Sequence, residues 1–155
     1  MFKRFIFSLI ALLTFCAVAS AQDSKQLYQQ GKALYDAKNY TQAVPKLKAA
    51  ADKGNKKAQY RLGRCYEKGK GVQKDLNMAF SLYTKGAAQN HAKSQYALGR
   101  CYLRGKGTQV NKELAKKWFV KAFKNSKGGS ELKAKVQKEA KGGDEKAKEI
   151  LKLIK

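Results

Sequence analysis

The chain has 155 residues, 43% of them hydrophobic, and carries 34 Lys and Arg against 11 Asp and Glu, a formal net charge of +23 at pH 7. That length supports one domain with its own core and is too short for two comfortable ones. The charge favours anionic partners, whether nucleic acid, acidic lipid headgroups, acidic glycans or acidic proteins, without choosing among them.

The first element is MFKRFIFSLIALLTFCAVASA, with a basic start at Lys3 and Arg4, an apolar run from Phe5 to Val18, and Ala19-Ser20-Ala21. It reads as a secretory signal peptide cleaved after Ala21. A membrane span is the rival reading, but the apolar run is shorter than the roughly 20 residues a bilayer core needs. A lipid anchor on Cys16 is another, and there bulky Phe15 stands where bacterial lipoprotein signals usually carry a small residue. Removal of the leader leaves a single domain over 22–155 with 32 basic and 11 acidic residues. Its expected address is periplasmic or secreted, which makes nucleic acid the less natural target. Bulk basicity with no specific ligand is the bland alternative.

Helices are predicted over 24–37 and 40–53, the second containing Pro45, which removes a backbone donor and should bend it slightly. The next pair is predicted over 56–68 and 75–88, and a third over 92–104 and 111–125. The first members of these two pairs carry Ala58, Leu62 and Tyr66, and Ser94, Leu98 and Tyr102, on one face of a 3.6-residue period. The second members present Leu76, Ala79, Phe80 and Tyr83, and Leu114, Ala115, Trp118, Phe119 and Ala122. Gly69-Lys70-Gly71 and Gly105-Lys106-Gly107 separate the members of each pair as helix terminators.

These two pairs repeat one another at an offset of 36: Tyr60 with Tyr96, Leu62 with Leu98, Gly63 with Gly99, Tyr66 with Tyr102, Ala79 with Ala115 and Lys85 with Lys121. Such a period marks stacked repeats. Leu27, Gly31, Ala43, Leu47 and Ala50 have the spacing of a tetratricopeptide motif and mark a weaker first copy. The junction Ala51-to-Ala58 returns as Ala87-to-Ser94 and, after a 17-residue extension, as Ala140-to-Ala147. The extension adds a helix over 130–141, and a last helix over 144–154, with Ala147, Ile150, Leu151 and Ile154, caps the stack. The fold class is therefore all-α: a right-handed α/α solenoid of about three helical hairpins (24–55, 56–91 and 92–127), with C-terminal helices over 128–155.

AQYRLGRCYEKGKGVQKDLNMAFSLYTKGAA resembles the Sel1-like repeat, a relative of the tetratricopeptide repeat. The resemblance extends over most of 26–124. The third copy departs from it, with Thr108 in place of Val72 and Asn111 near the place of Asp75, and the helix after 128 lies outside it. It implies an exported scaffold that binds other proteins, often in signalling or envelope adaptation. In cysteine-rich exported relatives the disulfides join the two helices of one repeat, whereas here each of two repeats holds one cysteine, Cys65 or Cys101. Those two sit at equivalent positions of successive first helices, whose axes should be about 8–10 Å apart against the about 4.4–6.8 Å between Cα atoms that a disulfide needs, which favours two semi-buried free thiols over a bridge and leaves the bridge as the alternative.

Other chemistry finds little support. Zinc needs three or four converging ligands, and two cysteines with the single His91 do not supply them. GRCYEKGKG lacks the spacing and the strand-to-helix setting of a phosphate loop. Some relatives are labelled penicillin-binding or β-lactamase-like, but Ser130-x-x-Lys133 is a match that 29 lysines and seven serines supply by chance, and the companion Ser-Asp-Asn and Lys-Thr-Gly are absent. No enzyme activity, metal or cofactor is expected.

The tetratricopeptide alignment places Lys25, Tyr28, Lys32 and Tyr35, then Lys57, Tyr60, Arg64 and Lys68, then Lys93, Tyr96, Arg100 and Arg104, along an inner groove. Tyrosine and arginine in these rows suit an acidic peptide or a chain-end carboxylate; a solvated cationic face is the alternative. A monomer is expected, binding an acidic protein or peptide or, through charge alone, an anionic envelope polymer or membrane surface. The Lys-rich segments after 130 read mostly as solvated.

Overall fold

The computed structural model describes residues 22–155, so the predicted leader lies outside the described residues. Eight helices follow one another: α1 (22–36), α2 (Tyr40–Asp52), α3 (Lys56–Lys68), α4 (Leu76–Ala88), α5 (Ala92–Arg104), α6 (Lys112–Phe123), α7 (Gly129–Lys141) and α8 (Glu145–Leu153). Among the described residues there is no strand. The hairpins α3–α4 and α5–α6 pack within themselves, and α2 on α3 and α4 on α5 join one hairpin to the next. The extra helix α7 packs on α6 and α8 and touches α5.

The boundaries have local causes. Asp75 and Asn111, which the predictions placed inside α4 and α6, are instead N-caps: each carboxyl or amide oxygen accepts from a backbone N–H three residues on, Met78 and Leu114 respectively. Asn55 and Asp144 do the same for α3 and α8. Gly69 and Gly105 end α3 and α5 with φ of 65° and 64°, where an L side chain would be strained. Pro45 lies in the sixth position of α2, and that helix runs through it.

The core forms three clusters along the stack. Tyr28, Leu47, Leu62, Cys65 and Leu82 centre the first; Ala79, Tyr83, Leu98 and Cys101 the second; Leu103, Phe119, Phe123, Val136 and Ile150 the third. Leu62, Leu98 and Phe119 are buried as expected. Tyr66, Phe80, Tyr102 and Trp118, which share those predicted helix faces, are only partly buried and pack against it. The reason is the close approach of the hairpin helices at Gly63 and Gly99. A Cβ there would stand 2.6 Å from the Tyr83 ring and 2.8 Å from the Phe119 ring, so those two rings take the centre and the others are left at its rim.

Buried amides tie the hairpins together. Gln59 and Gln95 each donate to a carbonyl at the end of the preceding hairpin, Ala51 and Ala87 respectively. Gln89 and Asn125, one period apart, donate in turn to their side-chain oxygens.

Candidate functional site

The residues assigned to the inner groove lie on α1, α3 and α5. In α3, Lys57, Tyr60, Arg64 and Lys68 fall on successive turns of one helix face, and Lys93, Tyr96, Arg100 and Arg104 repeat this on α5. Lys57, Lys68 and Lys93 are exposed and make no ion pair among the described residues. A surface hollow of about 360 Å³ opens beside Lys57, lined also by Lys25, Tyr28, Asn55, Lys56 and Gln89. A larger hollow of about 620 Å³ lies along Val72–Leu76, with Lys74 and Asp75 its only charged groups, and assembles no reactive set.

The tyrosines in these rows do more packing than the sequence suggested. Tyr60 lies against Tyr83 and His91, with ring centroids 6.1 and 5.5 Å apart. Tyr96 lies against Phe119 and Phe123 at 5.4 and 6.0 Å, and burial pushes its phenol up to about 12. Tyr28, expected at the groove, is buried in the first core cluster, and its hydroxyl accepts from Arg61 Nε at 3.3 Å. Both Tyr60 and Tyr96 are half-buried, each leaving part of its surface to a ligand.

The arginines differ in their surroundings. Arg104 is paired with Glu149 of α8. Arg100 stands 3.8 Å from Glu67, which also receives Lys106 at 2.8 Å and the Tyr83 hydroxyl at 2.9 Å. Glu67 is largely buried; burial opposes its charge, but Lys106, Tyr83 and Arg100 outweigh that and hold its carboxyl below the ordinary value. Arg64 is half-buried, makes no ion pair among the described residues, and faces the phenols of Tyr60 and Tyr35. Burial works against its charge too, and the phenols more than offset that. The period stacks Arg64 and Arg100, but only Arg100 has an acid beside it.

Sequence reasoning missed Glu67 and Arg61. Arg61 joins α3 to α1 through Asp36 at 3.1 Å and lies over the Tyr35 ring at 5.2 Å. Neither residue recurs one period later, where Leu103 and Ala97 stand, so the comparison of copies passed over both.

Cys65 and Cys101 are free thiols, buried in separate core clusters. Burial pushes them up to about 11 and about 12, so neither supplies a nucleophilic thiolate at neutral pH. His91 is the N-cap residue of α5, its Nδ1 2.9 Å from the Ser94 hydroxyl, and burial with Lys56, Lys93 and Lys57 nearby lowers it to about 4. Among the described residues no three His, Cys, Asp or Glu side chains are grouped to hold a metal ion. No helix among them is long and apolar enough to cross a membrane.

Residues 56–91 and 92–126 each match the model of the Sel1 repeat. No curated protein matches the chain significantly. Among solved structures, a Sel1 repeat protein from Oxalobacter formigenes is 29% identical at a TM-score of 0.53, over 65% of this chain and 56% of that one. The protective antigen c5321 of uropathogenic Escherichia coli, which displays an SLR fold, is 27% identical at 0.64, over 74% and 26%. Helicobacter pylori cysteine rich protein B is 25% identical at 0.56, over 72% and 96%. The chain thus spans about half the length of the first and about a quarter of the second. Two segments of the chain match the Sel1 repeat within a stack of helical hairpins, and the solved structures it resembles include a Sel1 repeat protein and a protein of SLR fold.

Proposed function

We propose that this protein is a non-enzymatic scaffold, exported to the bacterial envelope after cleavage behind Ala21, whose groove binds an acidic peptide or protein segment. Sel1 repeats commonly serve as protein-interaction scaffolds, which supports the general class. The observation that carries the acidic partner is the imbalance along α3 and α5: among the described residues, six Lys and Arg at groove positions meet only Glu67 and Glu149, which leaves Arg64, Lys57, Lys68 and Lys93 without an ion pair there. Half-exposed Tyr60 and Tyr96 add flat apolar contact beside these charges. The experiment is a titration of the protein with a labelled acidic peptide at rising salt. Saturable binding that Arg64→Ala/Arg100→Ala removes and salt weakens only moderately supports the groove.

A second reading has its own observation. Lys133, Lys135, Lys138 and Lys141 on α7 are all exposed. Such a face would attract an anionic polymer or membrane surface by charge alone. Binding that ignores ligand identity and collapses steeply with salt favours that reading.

A further inference from the structure

Two successive junctions of the stack place an arginine and a lysine at corresponding positions but surround them differently, with Leu47 in the place of Tyr83 and Tyr40 in the place of Leu76. Between the second and third hairpins, Lys106 and Arg100 converge on Glu67, at 2.8 and 3.8 Å, and the Tyr83 hydroxyl donates to its other oxygen. One period earlier Arg100 and Lys106 correspond to Arg64 and Lys70. The position corresponding to Glu67 is found from Gly31 and Gly63. Both are points of close approach between the helices of a hairpin, where a Cβ would meet Leu47 or Tyr83. Four residues beyond Gly63 is Glu67, and four beyond Gly31 is Tyr35.

The first junction therefore has the two cations without their carboxylate. Lys70 Nζ lies 5.7 Å from the Tyr35 ring centroid and 4.4 Å from that of Tyr40, and donates to the Tyr40 hydroxyl at 2.8 Å. Arg64 is within electrostatic reach of Tyr35, Tyr60 and Lys70. The nearby acid, Asp36, is already shared between Lys32 at 2.8 Å and Arg61 at 3.1 Å. Aromatic rings hold a cation by their π faces but leave its charge uncancelled, so a carboxylate added here meets two donors at a partly desolvated site.

We propose that Arg64 and Lys70, backed by the rings of Tyr35 and Tyr40, form a receptor for one carboxylate of an acidic peptide segment, which fills from outside the place that Glu67 fills from within at the next junction. The proposal rests on the acidic-peptide reading and assigns its main contact.

The test uses a fluorescein-labelled hexaglutamate peptide, with hexaglutamine as control, titrated into the protein at constant ionic strength. Tyr35→Glu supplies the missing carboxylate internally and should weaken hexaglutamate binding at least tenfold while the melting temperature holds or rises. Arg64→Gln/Lys70→Gln should weaken it at least tenfold as well, and carries the test by itself should Tyr35→Glu not fold. Lys133→Gln/Lys135→Gln removes the same charge elsewhere and should change affinity less than twofold. Wild-type affinity in Arg64→Gln/Lys70→Gln overturns this site while leaving peptide binding by the groove intact, whereas equal losses in both double variants overturn the site and the groove together in favour of diffuse cationic attraction. A wild-type protein that does not prefer hexaglutamate to hexaglutamine overturns both.

Discussion

Asn125 Nδ2 donates to Gln95 Oε1 across 3.0 Å, and through that bond the end of one hairpin is fixed to the start of its own first helix. Gln95 reaches the other way to the Ala87 carbonyl and to Asn90, so three segments share one buried amide. Gln89 and Gln59 repeat the arrangement at 2.9 Å one period earlier. Gln95 is wholly buried and Asn125 is 7% exposed, so water cannot replace a lost partner without rearrangement. Gln95→Leu keeps the volume but removes the Gln95 Oε1 acceptor of Asn125 Nδ2, which keeps Asn90 O and Oδ1, and takes the side-chain donor from the Ala87 carbonyl, and should cost about 1–3 kcal/mol. Gln95→Leu/Asn125→Leu should cost less than the two single changes together, because each single change already breaks the shared bond. Urea unfolding of the four proteins gives the coupling, and strict additivity would contradict a shared amide network.

Packing on the two sides of α5, against α4 and against α6, predicts opposite steric errors at neighbouring residues. Leu98 is 1% exposed, and Leu98→Ala should cost about 2–5 kcal/mol through the cavity it leaves. Gly99→Ala adds one carbon 2.8 Å from Phe119 and should cost about 1–3 kcal/mol through overpacking. Pairing Gly99→Ala with Phe119→Leu should recover part of that loss. Thermal melting by circular dichroism measures all three, and a Gly99→Ala protein of full stability would show that α5 and α6 separate easily.

The periodic part of this architecture was legible because repetition tests each reading twice. Leu62 and Leu98, the glycine breaks and most helix limits follow from positions that agree across copies. The rim and the centre of the core were harder to tell apart: Tyr66 and Tyr83 both fall at apolar positions, and only the approach at Gly63 decides that Tyr83 goes inside. Gln59 and Gln95 also recur at the period, but a polar residue on a helix gives no sign of burial until its partners from other hairpins are known. Glu67 and Arg61 were invisible for the opposite reason. They distinguish one junction from another, and a comparison that looks for sameness discards them.

Acidification should weaken the stack in two successive, overlapping windows. His91 is lowered from 6.5 to about 4 by burial and by Lys56, Lys93 and Lys57. Between those values the unfolded chain binds more protons than the folded one, so stability is lost as pH falls from about 6.5 toward 4. Glu67 acts lower. Burial opposes its charge, but Lys106, Tyr83 and Arg100 hold its carboxyl below 4.5, so its contribution is complete above that value and is lost as pH falls through the depressed folded one. His91→Asn should flatten the dependence of melting temperature on pH in the upper window. It should also supply the kind of cap Asn55 makes with the N–H groups of Lys57 and Ala58. Glu67→Gln should lower the melting temperature near neutrality and flatten its fall below pH 4.5. A His91→Asn protein with an unaltered slope in the upper window would remove histidine from the account.

The final prediction separates neighbours in the sequence, Arg64 from Cys65 and Arg100 from Cys101. Each cysteine points into the core, 0% and 3% exposed, while each arginine is only half-buried on the groove side. Cys65→Ala/Cys101→Ala should therefore lower stability through lost packing and leave hexaglutamate affinity within about twofold. Arg64→Ala/Arg100→Ala should weaken binding at least tenfold, about 1.4 kcal/mol, without unfolding the chain. Within that pair Arg64 should dominate, because Glu67 already stands 3.8 Å from Arg100 and an incoming carboxylate must compete with it. Lysine at both positions should restore only part of the affinity, since it keeps the charge and loses the two-pronged fork. Binding is compared at constant salt, with circular dichroism as the control for folding. Equal affinity of the wild type and the double arginine variant would remove the groove from the binding mechanism and leave diffuse cationic attraction, with the exposed lysines of α7 as its source.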